Sequence, residues 1–220
     1  VISICMPYWQ RQRELDRSLG AYRRVYEDRA LEISIADDGS PEPVVAPGCI
    51  VTQLPAKTMG LNPCVPINAA VRASTGSVVV LTNPEIEHRE DVLTGMLALL
   101  EGPDDYVTVP CRDSKGMWLA GPQVDYTKNG RLPVPAGAHF HFCAMLHREL
   151  FERAGGFDEG YRHGRSCEDN DWLWRLHAVG ARFRTAPGVV WHYQTPHAFQ
   201  GTHASNRDRL VARWGHLWAN

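Results

Sequence analysis

Several short stretches of this chain place side chains where they could do chemistry. Glu168-Asp169-Asn170-Asp171 sets adjacent carboxylates at the head of a segment with a helical pattern. A carboxylate within hydrogen-bond reach of a hydroxyl can take its proton. The same acids suit a helix amino terminus for electrostatic reasons alone, worth ~0.3–1 kcal/mol each. Asn83-Pro84-Glu85 ends an apolar run, and Glu85 offers the hard oxygen that manganese or magnesium prefers. His192, in Val-Val-Trp-His-Tyr, is either an imidazole ligand or a satisfied buried histidine. Asp37-Asp38-Gly39-Ser40 presents acceptors at a turn, and alone reads equally well as an ordinary turn.

Other side chains carry two readings. One of Trp172 and Trp174 faces a core while the other offers a stacking platform, or both are core. His139 and His141 share one face of an alternating stretch and would line a pocket or simply half-exposed strand. Arg11 and Arg13 read as cations near the first strand or as a solvated helix face, and His88 as a ligand or a surface-helix residue. Arg207, Arg209 and Arg213 beside Leu210 and Trp214 make a basic amphipathic helix, which lies on a membrane, contacts phosphates or packs on the core.

The elements that must position these residues alternate. Strands are expected at 1–6 (ended by Pro7), 31–36, 49–53 and 77–82, with helices at 10–26, 64–74 and 89–101. Leu15, Leu19, Tyr22 and Tyr26 recur at helical spacing. That alternation predicts an α/β fold with a mostly parallel sheet covered by helices on both faces, and ligands outside the carboxyl ends of the strands. Further on, the pattern gives a strand at 105–110, a hairpin over 116–136, and a strand at 139–146. A helix at 147–154 stops at Gly155-Gly156. A helix at 168–179 opens with a capping-box spacing at Ser166, a strand or hairpin covers 181–194, and a last helix covers 204–218.

Composition narrows the class. The 220 residues are 44% hydrophobic and 22% charged, ordinary for one globular domain, and the net charge of −2 lacks the basic footprint of a dedicated nucleic-acid binder. No apolar run nears the ~18 residues of a membrane span. No signal-peptide pattern stands at the start, and the chain opens inside an apolar run, as an excerpt or a chain without a short leader would. The six cysteines form no C-x-x-C pair and read as reduced thiols of a cytoplasmic protein. Phosphate-binding loops of the nucleoside-triphosphate type and G-x-S-x-G elbows are absent.

Together, Val1-Ile-Ser-Ile-Cys-Met-Pro-Tyr-Trp9, Ile35-Ala-Asp-Asp-Gly-Ser40, Gly155-Gly-Phe-Asp-Glu159 and Glu168-Asp-Asn-Asp-Trp172 with Arg175 resemble family 2 glycosyltransferases of the GT-A fold. The carboxyl half is similar to galactosyltransferase-like and chondroitin-polymerase-like members. The resemblance covers roughly residues 1–195. It implies a nucleotide-sugar half at 1–103, an acceptor and catalytic half at 104–195, and a carboxyl-terminal helix at 196–220. It implies Asp169 as general base with inversion, Glu168, Trp172 and His141 at the acceptor, and Glu85 with His192 on manganese or magnesium. Pro7, Tyr8, Asp37, Asp38, Asn62, Asn68, Asn83 and Glu85 would contact the nucleotide sugar, a UDP-sugar by preference, with Lys57 also over the diphosphate. The sequence departs from the family at Asn83-Pro84-Glu85, where Asp-x-Asp is usual, so one carboxylate of two remains. The acceptor implied is a saccharide or glycolipid, with a modified DNA base as the alternative. A non-catalytic nucleotide-sugar or glycan-binding module is the rival class, and a nucleotidyltransferase a third that lacks its Gly-rich basic loop here.

Overall fold

The computed structural model describes residues 1–55, 62–122, 139–193 and 203–217. Strands that are apolar on both faces need cover on both sides, and here a central sheet receives it. The elements run β1 (Ile2–Tyr8), α1 (Gln12–Val25), β2 (Leu31–Asp37), β3 (Ile50–Gln53), α2 (Cys64–Ala73), β4 (Val78–Thr82), β5 (Ile86–His88), α3 (Leu93–Leu99), β6 (Asp105–Thr108), β7 (Cys111–Asp113) and β8 (Trp118–Ala120). They continue with β9 (Cys143–His147), α4 (Arg148–Arg153), α5 (Glu168–Ala178), β10 (Arg182–Thr185), β11 (Val190–His192) and α6 (Ala204–Trp214).

Seven strands form the sheet in the order β10-β6-β9-β4-β1-β2-β3. β1, β2, β3 and β4 pair in parallel, and β9 lies antiparallel between β4 and β6. α1 and α3 cover one face, where Leu15, Leu19, Tyr22, Tyr26, Leu93 and Met96 are buried. α2, α4, α5 and α6 cover the other, around Ile67, Leu150, Trp172, Leu173 and Leu210. A second sheet, β5-β11-β7-β8, stands beside the first. Among the described residues no helix is long and apolar enough to cross a membrane. All six cysteines are free, and burial pushes the Cys5, Cys64 and Cys143 thiols up to about 12.

Several expected elements change. β1 runs through Pro7 to Tyr8, because its ladder with β4 stops at Cys5 and only β2 continues beside it. The expected helix at 89–101 shrinks to α3, and 86–88 just before it form β5 against β11. His88 is therefore no surface-helix residue. It is fully buried, with Nδ1 2.8 Å from the Tyr26 hydroxyl, and burial lowers its pKa to about 3. The 181–194 stretch is no hairpin: β10 joins β6 in the large sheet and β11 joins the small one. His139 and His141 precede β9 rather than lying within it. Ser166 makes no capping box, because Cys167 caps α5 from a left-handed conformation and no side chain bonds there. β7 and β8 pair, while the remainder of the expected hairpin from 123 on lies outside the described residues.

Trp172 also leaves its expected acceptor role. It is 0% exposed, stacked 4.7 Å from Phe157 and bordered by Phe151 and Tyr106. Trp174 stacks on Trp214 of α6. Large-to-small truncation of a buried aromatic costs about 3–5 kcal/mol through lost transfer energy and a cavity. Trp172→Ala is expected to lose about that much stability, read as a lower urea midpoint, while Trp174→Ala loses less.

Candidate active site

In a parallel sheet the loops leaving the carboxyl ends of the strands converge on one edge. Here Asn83 leaves β4 and Asp37 ends β2. β9 runs the other way, so the residues before it arrive at the same edge: Cys143 pairs with Thr82. An open cleft of about 110 Å³ forms there, lined by Pro63, Asn83, Phe140, His141, Phe142, Glu168 and Asp169. It is smaller than the ~300–1,000 Å³ usual for small-molecule pockets and forms the floor around the two carboxyls. A wider hollow of about 600 Å³ opens at the start of β4, lined by Glu101, His147, Arg148, Glu149 and Glu152, away from the edge where the candidate residues meet.

The amino end of α5 brings Glu168 and Asp169 into the cleft. They face different surroundings. Glu168 is buried and accepts a 2.6 Å hydrogen bond from Asn62 Nδ2, while the Asn62 Oδ1 accepts from the Cys64 N–H. Burial, with the Asp169 charge adding to it, raises the Glu168 carboxyl to about 8. Asp169 is 40% exposed at the mouth. Its Oδ1 lies 3.3 Å from His141 Nδ1, at ion-pair distance but outside hydrogen-bond alignment. Burial lowers the His141 pKa, with the Asp169 charge opposing, so His141 is neutral beside it.

Glu85 and His192, the two candidate ligands, lie on adjoining segments linked through the backbone. The Tyr193 N–H donates to the Glu85 carbonyl, and His192 pairs with Ile86 across the β5–β11 ladder. His192 packs edge-on against Phe142. Its Nδ1 is buried without a hydrogen-bond partner, as a ligand nitrogen would be. Burial lowers its pKa, Asp113 opposes that and Arg11 adds to it. Glu85 bonds Arg11 Nε at 3.2 Å, and its pKa is raised by burial against the Arg11 charge. A carboxylate oxygen and an imidazole nitrogen are donor types that manganese accepts. No group of three metal-ligating side chains occurs among the described residues.

Other sequence candidates divide. Asn62, Asn83, His141, Glu168 and Asp169 come together. Asn68 does not: it clamps the Gly155–Phe157 turn, donating to the Phe157 carbonyl and accepting from its N–H. That turn needs glycine, since Gly155 and Gly156 sit at φ 78° and 65°. Asp37 is fully buried with both oxygens engaged by the Ser40 and Val44 N–H groups, so it shapes the edge loop instead of meeting a base. Asp38 is buried beside it, its N–H on the Tyr8 carbonyl. Pro7 lies in β1, and the buried Tyr8 hydroxyl reaches Gln12 at 3.5 Å. Lys57 lies outside the described residues. Arg11 is no solvated helix residue, being only 18% exposed. Its partner stands 74 residues away, a pairing no local pattern signals. Arg209 and Arg213 bond Asp158 and Asp171, so α6 packs on the core.

No protein-family model matches the sequence, and no curated protein matches it. Solved structures do. GalNAc-T7 with UDP, GalNAc and Mn2+ superposes with a TM-score of 0.72 at 15% identity, over 97% of this chain and 48% of that one. S. aureus TarS 1-349 in complex with UDP-GlcNAc gives 0.69 at 14%, over 90% and 60%. The mannosyltransferase PcManGT from Pyrobaculum calidifontis, with GDP-Man and Mn2+, gives 0.63 at 20%, over 100% and 64%. The chain thus spans less than two thirds of each of these three. At such identities the likeness shows the fold: a mixed α/β domain with the mostly parallel sheet of GT-A glycosyltransferases.

Glu168 yields a pH prediction. A carboxyl whose folded pKa is raised is favoured in its protonated form. Its native state therefore loses stability as pH rises from the unfolded value near 4.5 to the folded value near 8. Melting of the wild type is expected to fall across that window, and Glu168→Gln, which stays neutral, is expected to flatten the decline.

Proposed function

We propose that this chain is an inverting glycosyltransferase that moves a sugar from a nucleotide sugar, taken as a UDP-sugar, to an acceptor hydroxyl. The observation that carries this is the meeting of Glu168 and Asp169 with Asn83 and Asn62 at the carboxyl edge of a GT-A sheet. The structural neighbours were solved with UDP, UDP-GlcNAc or GDP-Man, and two of them with Mn2+.

Displacement at an anomeric carbon needs a proton acceptor on the attacking side and charge stabilisation on the leaving side. Asp169, at the open mouth, takes the acceptor proton, with His141 3.3 Å away on its buried side. Glu168, anchored by Asn62 and protonated to about pH 8, donates a hydrogen bond to an acceptor oxygen. Keeping one carboxyl neutral lets two acids share one cleft with different tasks. On the leaving side, Glu85 and His192 would hold manganese or magnesium, which would offset the charge of the departing diphosphate. Arg11 adds cationic charge at the same carboxylate. Pro7, Tyr8 and the loop held by Asp37 form the side of the edge assigned to the nucleoside, within the half at 1–103. The half at 104–195 then shapes the acceptor site, whose substrate is a saccharide or glycolipid.

Asp169→Asn is expected to lower transfer by about 10²–10⁴-fold while UDP affinity is retained. Turnover near the wild-type rate would sink the base assignment. Calorimetric titration of UDP is expected to show binding with manganese that weakens in EDTA, and His192→Ala is expected to remove that difference. Binding indifferent to the metal in the wild type would demote Glu85 and His192.

A further inference from the structure

We propose that Asn206, on α6 and outside the cleft, is a positioning residue that aims the Glu168–Asp169 pair. The inference rests on the reading of that pair as the reacting group. The chain enters α5 through two successive non-glycine residues in the left-handed region, Ser166 at φ 63° and Cys167 at φ 74°. L-residues adopt that conformation at a cost and keep it only where their surroundings over-determine it. Such steps cluster at functional sites, and this one lies immediately before Glu168.

One side chain ties the step to α6. Asn206 Nδ2 donates to the Ser166 carbonyl at 2.9 Å and to the Tyr161 carbonyl at 3.0 Å. A single carboxamide thus gathers both ends of the loop that leads into α5. Asn206 is 3% exposed, and the loop wraps it so closely that a Cβ on Gly164 would fall 2.6 Å from its carboxamide carbon. α6 is a firm base for the clamp. Arg209 binds Asp158 with two nitrogens, Trp214 Nε1 donates to Asp171 at 2.8 Å, and Leu210 is fully buried. Cys167 is also held by its own burial in the core, whereas the Ser166 carbonyl is tied to α6 by Asn206. Without Asn206 the Ser166 end of the step relaxes, and the carboxyls at the head of α5 turn with it.

The test uses the full chain, with glutamate carboxyl carbons labelled with 13C and the Glu168 titration followed by NMR. Wild-type protein and an Arg209→Ala control, which removes the Asp158 pair and the contact over the Tyr161 ring but no bond to the loop carbonyls, should keep Glu168 far above the ordinary glutamate range. Asn206→Ala and the milder Asn206→Ser should each lower its titration by one pH unit or more. Hydrolysis of UDP-glucose or UDP-GlcNAc, whichever the wild type turns over, should fall at least tenfold at unchanged UDP affinity. An unmoved Glu168 titration in either folded Asn206 variant overturns the proposal. So does an equal shift in Arg209→Ala, which would assign the effect to helix docking at large. Failure of the underlying reading looks different: an active Asp169→Asn would refute the base while the shifted titration still established the clamp.

Discussion

The antiparallel seating of β9 between β4 and β6 is the contact on which the rest of this structure depends. It matches Thr82 at the end of β4 with Cys143 at the start of β9. That register carries Phe140, His141 and Phe142 onto the edge where the parallel strands deliver Asn83. Because side chains alternate across a sheet, a slip of one residue would turn Val80, Met145 and their neighbours to the wrong face. The two apolar cores on either side prevent it, since Val80 and Met145 belong to one and Val79, Ala144 and Leu146 to the other. Packing energy far from the cleft thereby sets which groups meet in it.

The handling of buried acids separates structure from chemistry. Asp105 is fully buried and carries Arg182 and Arg184, whose charges and hydrogen bonds hold its carboxyl below the usual range. Asp171 is held by Arg213, Trp214 and Tyr161, and Asp158 by Arg209 and Arg213. A buried carboxylate is tolerable when cations or several N–H donors satisfy it; one left with less is driven toward its protonated form. Glu168 is the buried acid held by an amide, Asn62, and it takes up a proton. The protein thus spends its arginines on the acids that join elements together and gives the acid in the cleft a neutral partner.

Much of this was legible along the chain. Apolar residues recurring every three or four positions marked α1, and Leu15, Leu19, Tyr22 and Tyr26 are all in the core. The apolar run at 77–82 is the central β4, and Gly155-Gly156 closes α4 with two left-handed residues. These features rest on interactions between near neighbours, so periodicity and turn chemistry report them. The short strands were less visible. β5, β7, β8 and β11 have three residues each, too few to display a period, and exist because they pair with one another.

For the candidate site, the sequence by itself determined the residue types: a pair of acids heading a helix, a lone carboxylate after the strongest strand, and an imidazole after another. Only the tertiary structure decided their company. Asn62 and Asn68 looked alike in the chain, yet one meets Glu168 and the other ties down a turn. Trp172, a platform or a core residue by sequence and an acceptor contact by resemblance, is core. Arg11 looked solvated and pairs with Glu85. Asn206 carries no signal in the sequence that points to the site, yet it bonds the carbonyl two residues before Glu168. The reason is physical. A side chain's chemistry depends on burial and on partners brought from 40 to 106 residues away, and those distances close only when the sheet has formed.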